Sequence, residues 1–106
     1  MKRGDIFWAK PGRRPVVIVS HDGFNEAPGW RSLIVVPVST SATKAQRGPT
    51  AVPLVGGAGG LRRAGVALCH QVTTIDRAKL TRRLGALRQD ALDRIEDGLR
   101  AALDLE

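Results

Sequence analysis

Short runs of β-branched and other apolar residues, separated by turn-forming residues, fill the first 88 positions of the chain. Residues 15–19 and 33–38 consist almost entirely of valine, isoleucine, leucine and proline, a composition typical of strands buried on both faces. Prolines within residues 49–55 favour an edge or bulge position for that segment over the centre of a sheet. The pattern predicts strands at residues 6–9, 15–19, 33–38, 49–55, 65–75 and 81–87.

The last part of the chain follows a helical period. Between residues 89 and 105 the charged side chains occupy one face, and the other face is formed by Leu92, Ile95, Leu99, Ala102 and Leu103. Gly98 interrupts this helix at a cost of up to about 1 kcal/mol relative to alanine. Several short strands followed by one closing helix predict a mainly β fold with a C-terminal α-helix, namely an SH3-like small antiparallel barrel.

The length of 106 residues leaves room for one domain, so we expect residues 1–88 to form the barrel and 89–105 its closing helix. The single cysteine, Cys69, excludes an internal disulfide and a multi-cysteine zinc site, and it is expected to be a small buried apolar residue. The apolar runs are far shorter than the ~20 residues of a membrane span, and no export leader precedes the first strand. A cytoplasmic protein without membrane contact is expected.

Positive charge is concentrated in the predicted barrel. The chain has 17 lysine and arginine residues against 10 aspartate and glutamate residues, which gives a formal net charge of +7. Six of the acids but only two of the bases lie in residues 89–106, so residues 1–88 carry +11. Such a surface attracts phosphate backbones through counterion release, which favours a polyanionic partner over a purely solubilising role for the charge.

The familiar catalytic and nucleotide-binding motifs are absent, because the sequence contains no GxxxxGK[ST], HExxH or GxSxG pattern. The glycine-rich residues 56–60 have the composition of a phosphate-binding loop, but residues 61–65 do not continue as a helix, so a turn or hairpin end is predicted. His21 and His70 are far apart in the sequence and lack a nearby carboxylate cluster. No metal ion or other cofactor is therefore expected.

Two short polar segments remain as candidate chemistry. Arg13 and Arg14 stand where a tight turn enters a strand at Pro15, so a guanidinium there would be a well-anchored phosphate donor, and the alternative is a solvated pair. Ser39 and Thr40 directly follow the next buried strand, which would hold the first hydroxyl on a rigid element. Either hydroxyl also suits the alternative role of a turn cap.

Four segments, taken in order, carry a resemblance to a known family: residues 4–8 (GDIFW), 12–20 (GRRPVVIVS), 35–40 (VVPVST) and 66–76 (VALCHQVTTID). Asp22 and residues 24–25 after the second segment and residues 79–80 after the fourth extend it, as does the closing helix. The set resembles the MazF/PemK (Kid) family of toxin endoribonucleases from type II toxin–antitoxin systems, which have the CcdB/MazF-like (plasmid maintenance toxin) fold.

The resemblance implies a homodimer that arrests growth by metal-independent, sequence-specific cleavage of single-stranded RNA, namely mRNA, tRNA or rRNA. It implies that the 2′-hydroxyl of the RNA attacks the phosphate and leaves a 2′,3′-cyclic phosphate and a 5′-hydroxyl, so the protein needs no nucleophile of its own. It also implies a cognate acidic, MazE-like antitoxin whose disordered segment folds into the RNA groove. Contact with DNA is implied only indirectly, through the toxin–antitoxin complex at its operator.

The resemblance also assigns roles to residues. Arg14 matches the family's catalytic arginine, which implies that it stabilises the phosphorane and, as a second role, gives a proton to the leaving oxygen. Because a guanidinium hardly ever loses a proton, stabilisation of charge is the role that we expect first. Ser39 stands at the position of the catalytic threonine, and Thr40 is the alternative reactive hydroxyl. Gln71 matches the glutamine of the late strand and is an implied RNA contact. Arg13, His21 and Thr40 are further candidate neighbours in catalysis or RNA binding.

One loop departs from the family pattern. The loop at residues 10–13 is shorter than in many members, where it folds over the site, so recognition of the substrate is expected to rest on residues 20–31 and 43–48.

Two other functions stay open: a gyrase poison like the CcdB branch and an RNA-binding module that has lost catalysis. The gyrase poison depends on a tryptophan near the C-terminus that this chain lacks. Arg14 and the hydroxyl at position 39 argue against the inactive module.

Overall fold

The computed structural model describes residues 1–40 and 48–106. Seven strands are formed within these residues: β1 (Asp5–Ala9), β2 (Arg14–Ile18), β3 (Ser32–Ser39), β4 (Ala51–Leu54), β5 (Gly65–Leu68), β6 (Thr73–Asp76) and β7 (Leu80–Ala86). They pair antiparallel in the order β4-β5-β3-β2-β1-β7, and β6 also pairs with β3. The proline-containing strand β4 lies at an edge, as predicted.

The predicted continuous strand at residues 65–75 is wrong. Its two halves are separate strands, β5 and β6, joined by a short 3₁₀ turn at Cys69–Gln71. Both pair with the same edge of β3, β6 along its first half and β5 at its last two residues. The apolar run continues into the turn because Cys69 is fully buried, and only the two exposed polar residues that follow it, His70 and Gln71, mark where the backbone changes direction.

Apolar side chains are buried on both faces of the central strands, as their composition predicted. Along β2, Val17 belongs to the larger core, which the C-terminal helix covers, whereas Val16 and Ile18 belong to a smaller cluster on the opposite face. On β3, Val36 likewise belongs to the larger core and Val35 to the smaller cluster. Adjacent residues of β2 and β3 therefore face different environments, and this alternation continues to the ends of the strands.

The C-terminal helix α2 (Gln89–Leu103) confirms the predicted amphipathic helix and ends two residues earlier than expected. Gly98 has a packing role there, because a β-carbon at this position would lie only 2.7 Å from the Cys69 sulfur. Glycine thus lets α2 approach the 3₁₀ turn closely, which offsets its low helix propensity. Among the described residues, no helix combines the length and apolar character needed to cross a membrane.

The loop between β2 and β3 contains a single helical turn, α1 (Asp22–Asn25). The buried Asn25 amide donates to the Ser20 carbonyl oxygen at 2.7 Å and to Asp22 Oδ1 at 3.1 Å. The Arg77 guanidinium donates to the Asn25 carbonyl oxygen at 2.9 Å. These contacts fix the predicted polar loop to the barrel.

Candidate active site

The adjoining ends of β2 and β3 carry Arg14 and Ser39. The paired register of these strands ends with Val16 opposite Pro37, and each candidate residue lies two positions beyond that pair on its own strand. Because side chains alternate along a strand, Arg14 lies on the face of Val16, and Ser39 lies on the face of Pro37. The two candidate catalytic side chains thus share one face at the adjoining ends of the two strands.

A groove of about 250 Å³ opens on this face. Its polar lining comes from the β1–β2 turn, the start of β2 and the segment after β5: Lys10, Arg14, Gln71 and Thr73. Its floor is apolar and includes Val16 and Val35 of the smaller core cluster. We call this site the Arg14 groove; it brings Arg14 together with Gln71, although Gln71 lies on the 3₁₀ turn and not in the strand where the sequence placed it.

Arg13 and Thr40 lie elsewhere. Arg13 directly precedes Arg14 and Thr40 directly follows Ser39, and both Arg13 and Thr40 line a second cavity of about 420 Å³ on the opposite face. The Arg13 guanidinium sits over the Trp8 ring, 5.0 Å from its centroid, in a cation–π contact. The structure therefore separates Arg13 and Thr40 from Arg14 and Ser39.

Five guanidinium groups surround this second cavity, which we call the arginine cavity: those of Arg13, Arg62, Arg63, Arg82 and Arg83. The remaining described lining residues include Trp8 and Thr40 but no aspartate or glutamate. Only Arg83 is paired with an acid among the described residues, through Asp5 at 3.3 Å. The cavity is therefore a concentration of positive charge that the described part of the chain leaves largely uncompensated.

A β-bulge and a glycine turn assemble the arginine cavity. Phe7 pairs with Arg83 and Ile6 with Gly85, so Leu84 is the extra residue of a bulge in β7. The predicted glycine turn packs its backbone directly against this bulge: a β-carbon on Gly60 (φ +84°) would lie 2.2 Å from the Leu84 carbonyl oxygen. Because the chain continues from this turn into Arg62 and Arg63, the close approach brings both side chains to the cavity.

Sequence reasoning did not single out Arg62, Arg63, Arg82 and Arg83. A signal was present, since these residues form two further arginine pairs like Arg13–Arg14. Neither pair adjoins a motif, and only the fold shows that three segments distant in sequence meet. Lys10 and Thr73 of the Arg14 groove were also missed.

The two histidines and the cysteine lie outside both cavities. His21 is the N-cap of α1, where its Nδ1 accepts a hydrogen bond from the Gly23 amide at 2.8 Å, so the structure does not bring it to Arg14. His70 is exposed on the 3₁₀ turn and lines neither the Arg14 groove nor the arginine cavity. Cys69 is buried beneath α2, as predicted, and this burial raises the pKa of its thiol to about 11. Of the expected recognition segments, residues 43–47 lie outside the described residues.

The Arg14 groove offers the chemistry that a phosphodiester requires. A guanidinium is a planar donor of several hydrogen bonds and stays charged, and a hydroxyl on the same face adds a neutral donor. Within residues 1–40 and 48–106 there is no group of three or more His, Cys, Asp or Glu side chains placed to hold a metal ion. The donors of this groove are N–H and O–H groups, and Arg14 among them stands on a strand that is paired with β1.

Solved toxin structures share this fold over nearly the whole chain. An endoribonuclease from a mycobacterial species, solved with its cognate antitoxin, has a TM-score of 0.85 at 22% identity and covers 100% of this chain and 97% of its own. The MazE–MazF complex from Deinococcus radiodurans has a TM-score of 0.80 at 24% identity, covering 100% and 97%. The fold is therefore that of the CcdB/MazF-like toxins, as predicted.

Sequence comparison narrows this class to one family. Endoribonuclease EndoA of Bacillus subtilis (strain 168) is 30% identical over 115 residues, which cover 99% of this chain and 96% of EndoA. The sequence model of the PemK-like, MazF-like toxins of type II toxin–antitoxin systems matches residues 2–103. The chain belongs to this family, and the predicted membership is confirmed.

Proposed function

We propose that the chain, acting as one domain in the cytoplasm, is a toxin endoribonuclease that cleaves single-stranded RNA sequence-specifically and without a metal ion. Its relative EndoA is an endoribonuclease, and the family is one of toxins. The observation that carries the proposal is the placement of Arg14 and Ser39 on one face at the adjoining ends of β2 and β3. A phosphodiester that lies across these ends meets both donors at once.

The RNA supplies the nucleophile in the proposed reaction. Its 2′-oxygen forms a bond to phosphorus while the bond from phosphorus to the 5′-oxygen breaks, which leaves a 2′,3′-cyclic phosphate and a 5′-hydroxyl. Negative charge accumulates on the phosphorane oxygens, and the Arg14 guanidinium and Ser39 hydroxyl stabilise it. Donors fixed on paired strands need little reorganisation as this charge develops.

One proton leaves the 2′-hydroxyl, and the 5′-oxygen gains one. A guanidinium keeps its protons under these conditions, so Arg14 acts by charge and hydrogen bonding, and solvent carries the proton exchange. Gln71 lines the same groove and has an amide that can hydrogen-bond the sugar or base beside the scissile phosphate. Thr40 is the alternative hydroxyl, but it lines the arginine cavity.

The proposed partners follow from charge and exposed apolar surface. The mycobacterial relative was solved with its cognate antitoxin, and an acidic antitoxin segment would complement the +11 charge of residues 1–88. A homodimer is supported by large exposed apolar side chains on and after the α1 loop, since such surfaces are commonly covered by a second copy: Phe24, Trp30 and Ile34. DNA contact remains indirect, through the complex with the antitoxin.

The decisive experiment incubates the purified protein with a long mixed-sequence RNA in EDTA and maps the new ends. Discrete cuts that bear 5′-hydroxyls, and that are lost in Arg14→Ala, are expected. Uncut RNA with retained binding would indicate a module without catalysis, and uncut and unbound RNA would favour a protein target. A requirement for added magnesium would overturn the mechanism.

A further inference from the structure

We propose that the arginine cavity is a second RNA subsite, which binds the phosphates of nucleotides flanking the one cleaved in the Arg14 groove. This inference rests on the proposed function for the identity of the polymer and for the site of cleavage. It adds a binding surface on the other face of the sheet, formed mainly by Arg62, Arg63 and Arg82 together with Arg13.

Consecutive residues connect the two sites. Arg14 lines the groove and Arg13 lines the cavity, and Ser39 lies on the same face of β3 as the groove residue Pro37 while Thr40 lines the cavity. The ends of β2 and β3 thus form a rim with one site on each side. A single strand whose scissile phosphate lies between Arg14 and Ser39 crosses this rim within a nucleotide or two, and its next phosphates enter the arginine cavity.

The charges in the cavity are available to a ligand. Arg13, Arg62, Arg63 and Arg82 have no carboxylate partner among the described residues, so folding does not use their charge. Like charges held around one cavity repel each other and destabilise the fold unless an anion compensates them. The cavity of about 420 Å³ lies within the usual range of ligand sites and is large enough for a nucleotide unit.

The chemistry favours a phosphate backbone over other anions. Guanidinium groups bind phosphate oxygens through paired N–H donors. Each successive nucleotide of an RNA strand carries one phosphate, so neighbouring arginines can each bind a different phosphate. Trp8 adds a half-buried aromatic wall beneath Arg13, a combination that suits a sugar or base next to its phosphate. An acidic peptide is the competing occupant, which the test below separates.

The test compares two triple variants that lose equal charge. Arg62→Gln, Arg63→Gln and Arg82→Gln together remove the centre of the cavity, whereas Arg88→Gln, Arg94→Gln and Arg100→Gln remove three arginines from the α2 region. The probe is a fluorescent 2′-O-methyl RNA of mixed sequence, which cannot be cleaved because it has no free 2′-hydroxyl. The cavity triple should raise Kd at least tenfold and reduce the salt slope of log Kd by about 2, as expected for three lost phosphate contacts to a single strand. The control triple should raise Kd less than threefold.

Cleavage kinetics provide a second readout. On a cleavable RNA, the cavity triple should raise KM by a factor similar to its effect on Kd while kcat stays within twofold, because the donors at the scissile phosphate are untouched. Thermal unfolding of both triples checks that they fold. The single variant Arg62→Gln, at an exposed position, repeats the binding test should the triple be unstable.

Several results would overturn the inference. Equal losses of RNA affinity in the two triple variants would show that only the overall charge of the protein matters. An unchanged Kd in the cavity triple would show that the arginine cavity does not bind RNA. Lost affinity for an acidic antitoxin peptide with unchanged RNA binding would assign the cavity to the peptide. If the wild-type protein cuts no RNA but the cavity triple still loses binding, the proposed nuclease function fails while this binding site stands.

Discussion

The two sites that meet at the ends of β2 and β3 differ in how they use arginine. The Arg14 groove has one arginine among largely neutral side chains above an apolar floor, whereas the arginine cavity gathers five guanidiniums. A transition state needs a donor in one fixed place, and affinity for a polyanion grows with the number of charges supplied. This difference in charge supports the proposed division, with chemistry in the groove and binding in the cavity.

The sites also differ in construction. Paired strands fix Arg14 and Ser39, so neighbouring backbone hydrogen bonds determine their relative position. The cavity instead collects side chains from a turn, a bulged strand and the loop after the glycine turn. A site made of several segments tolerates the loss of one contributor, but it depends on the close packing that holds the segments together.

Arg13 and Arg14 give the sharpest test of this comparison, because the same side chain is removed one position apart. Arg14→Ala should lower kcat by about 10³-fold, as expected for the loss of an oriented transition-state donor. Arg13→Ala should raise KM severalfold with little change in kcat. Single-turnover and steady-state cleavage of a defined RNA separate the two effects. Similar kinetic losses in both variants would remove the distinction between the two sites.

The hydroxyls at the end of β3 are a second matched pair. Ser39→Ala should reduce kcat by about 10²-fold, near the lower limit for loss of one oriented donor, whereas Thr40→Val should have an effect below threefold. Ser39→Thr keeps the hydroxyl and should retain most of the activity. The same cleavage assay applies, and the reverse order of effects would identify Thr40 as the reactive hydroxyl.

The glycine turn at residues 56–60 packs against β7 beside the arginine cavity, so we expect this packing to stabilise the cavity and not the Arg14 groove. Gly60→Ala would place a β-carbon 2.2 Å from the Leu84 carbonyl oxygen at a φ of +84°, so the free energy of unfolding should fall by about 2 kcal/mol or more. Gly57→Ala is the control, since Gly57 also has a positive φ but no atom within 4 Å of the added carbon, and about 1 kcal/mol is expected. Urea unfolding measures both, and equal losses would show that the contact with Leu84 is unimportant.

Acid is expected to have a smaller effect, away from both sites. Hydrogen bonds from the Arg3 and Ala78 amides lower the pKa values of Asp22 and Asp76, respectively, below the usual value for aspartate. The unfolded chain therefore binds more protons as the pH falls through about 4, and the free energy of unfolding decreases there. Urea unfolding at pH 7 and near pH 3.5 should show a weaker pH dependence in Asp22→Asn and Asp76→Asn. An unchanged dependence would indicate that other groups dominate.

The sequence predicts the Arg14 groove better than the arginine cavity for a physical reason. Arg14 is followed by a proline and a buried strand, and Ser39 ends another, so local patterns place both side chains on strand ends. The same patterns fail for residues 65–75, because the first residue of the turn, Cys69, is buried like the strand before it and only two polar residues, His70 and Gln71, mark the turn. Arg62 and Arg82 meet only through a bulge and a glycine contact, neither of which leaves a local pattern.

The contact between Gly98 and Cys69 gives the protein an internal reporter. At neutral pH the Cys69 thiol is protonated and shielded beneath α2, so alkylating reagents react with it only after the helix detaches. The rate of thiol labelling thus measures how often α2 undocks from the barrel. Slower labelling upon addition of RNA or an antitoxin peptide would show that the ligand stabilises the docked helix, although neither cavity includes Cys69 in its wall.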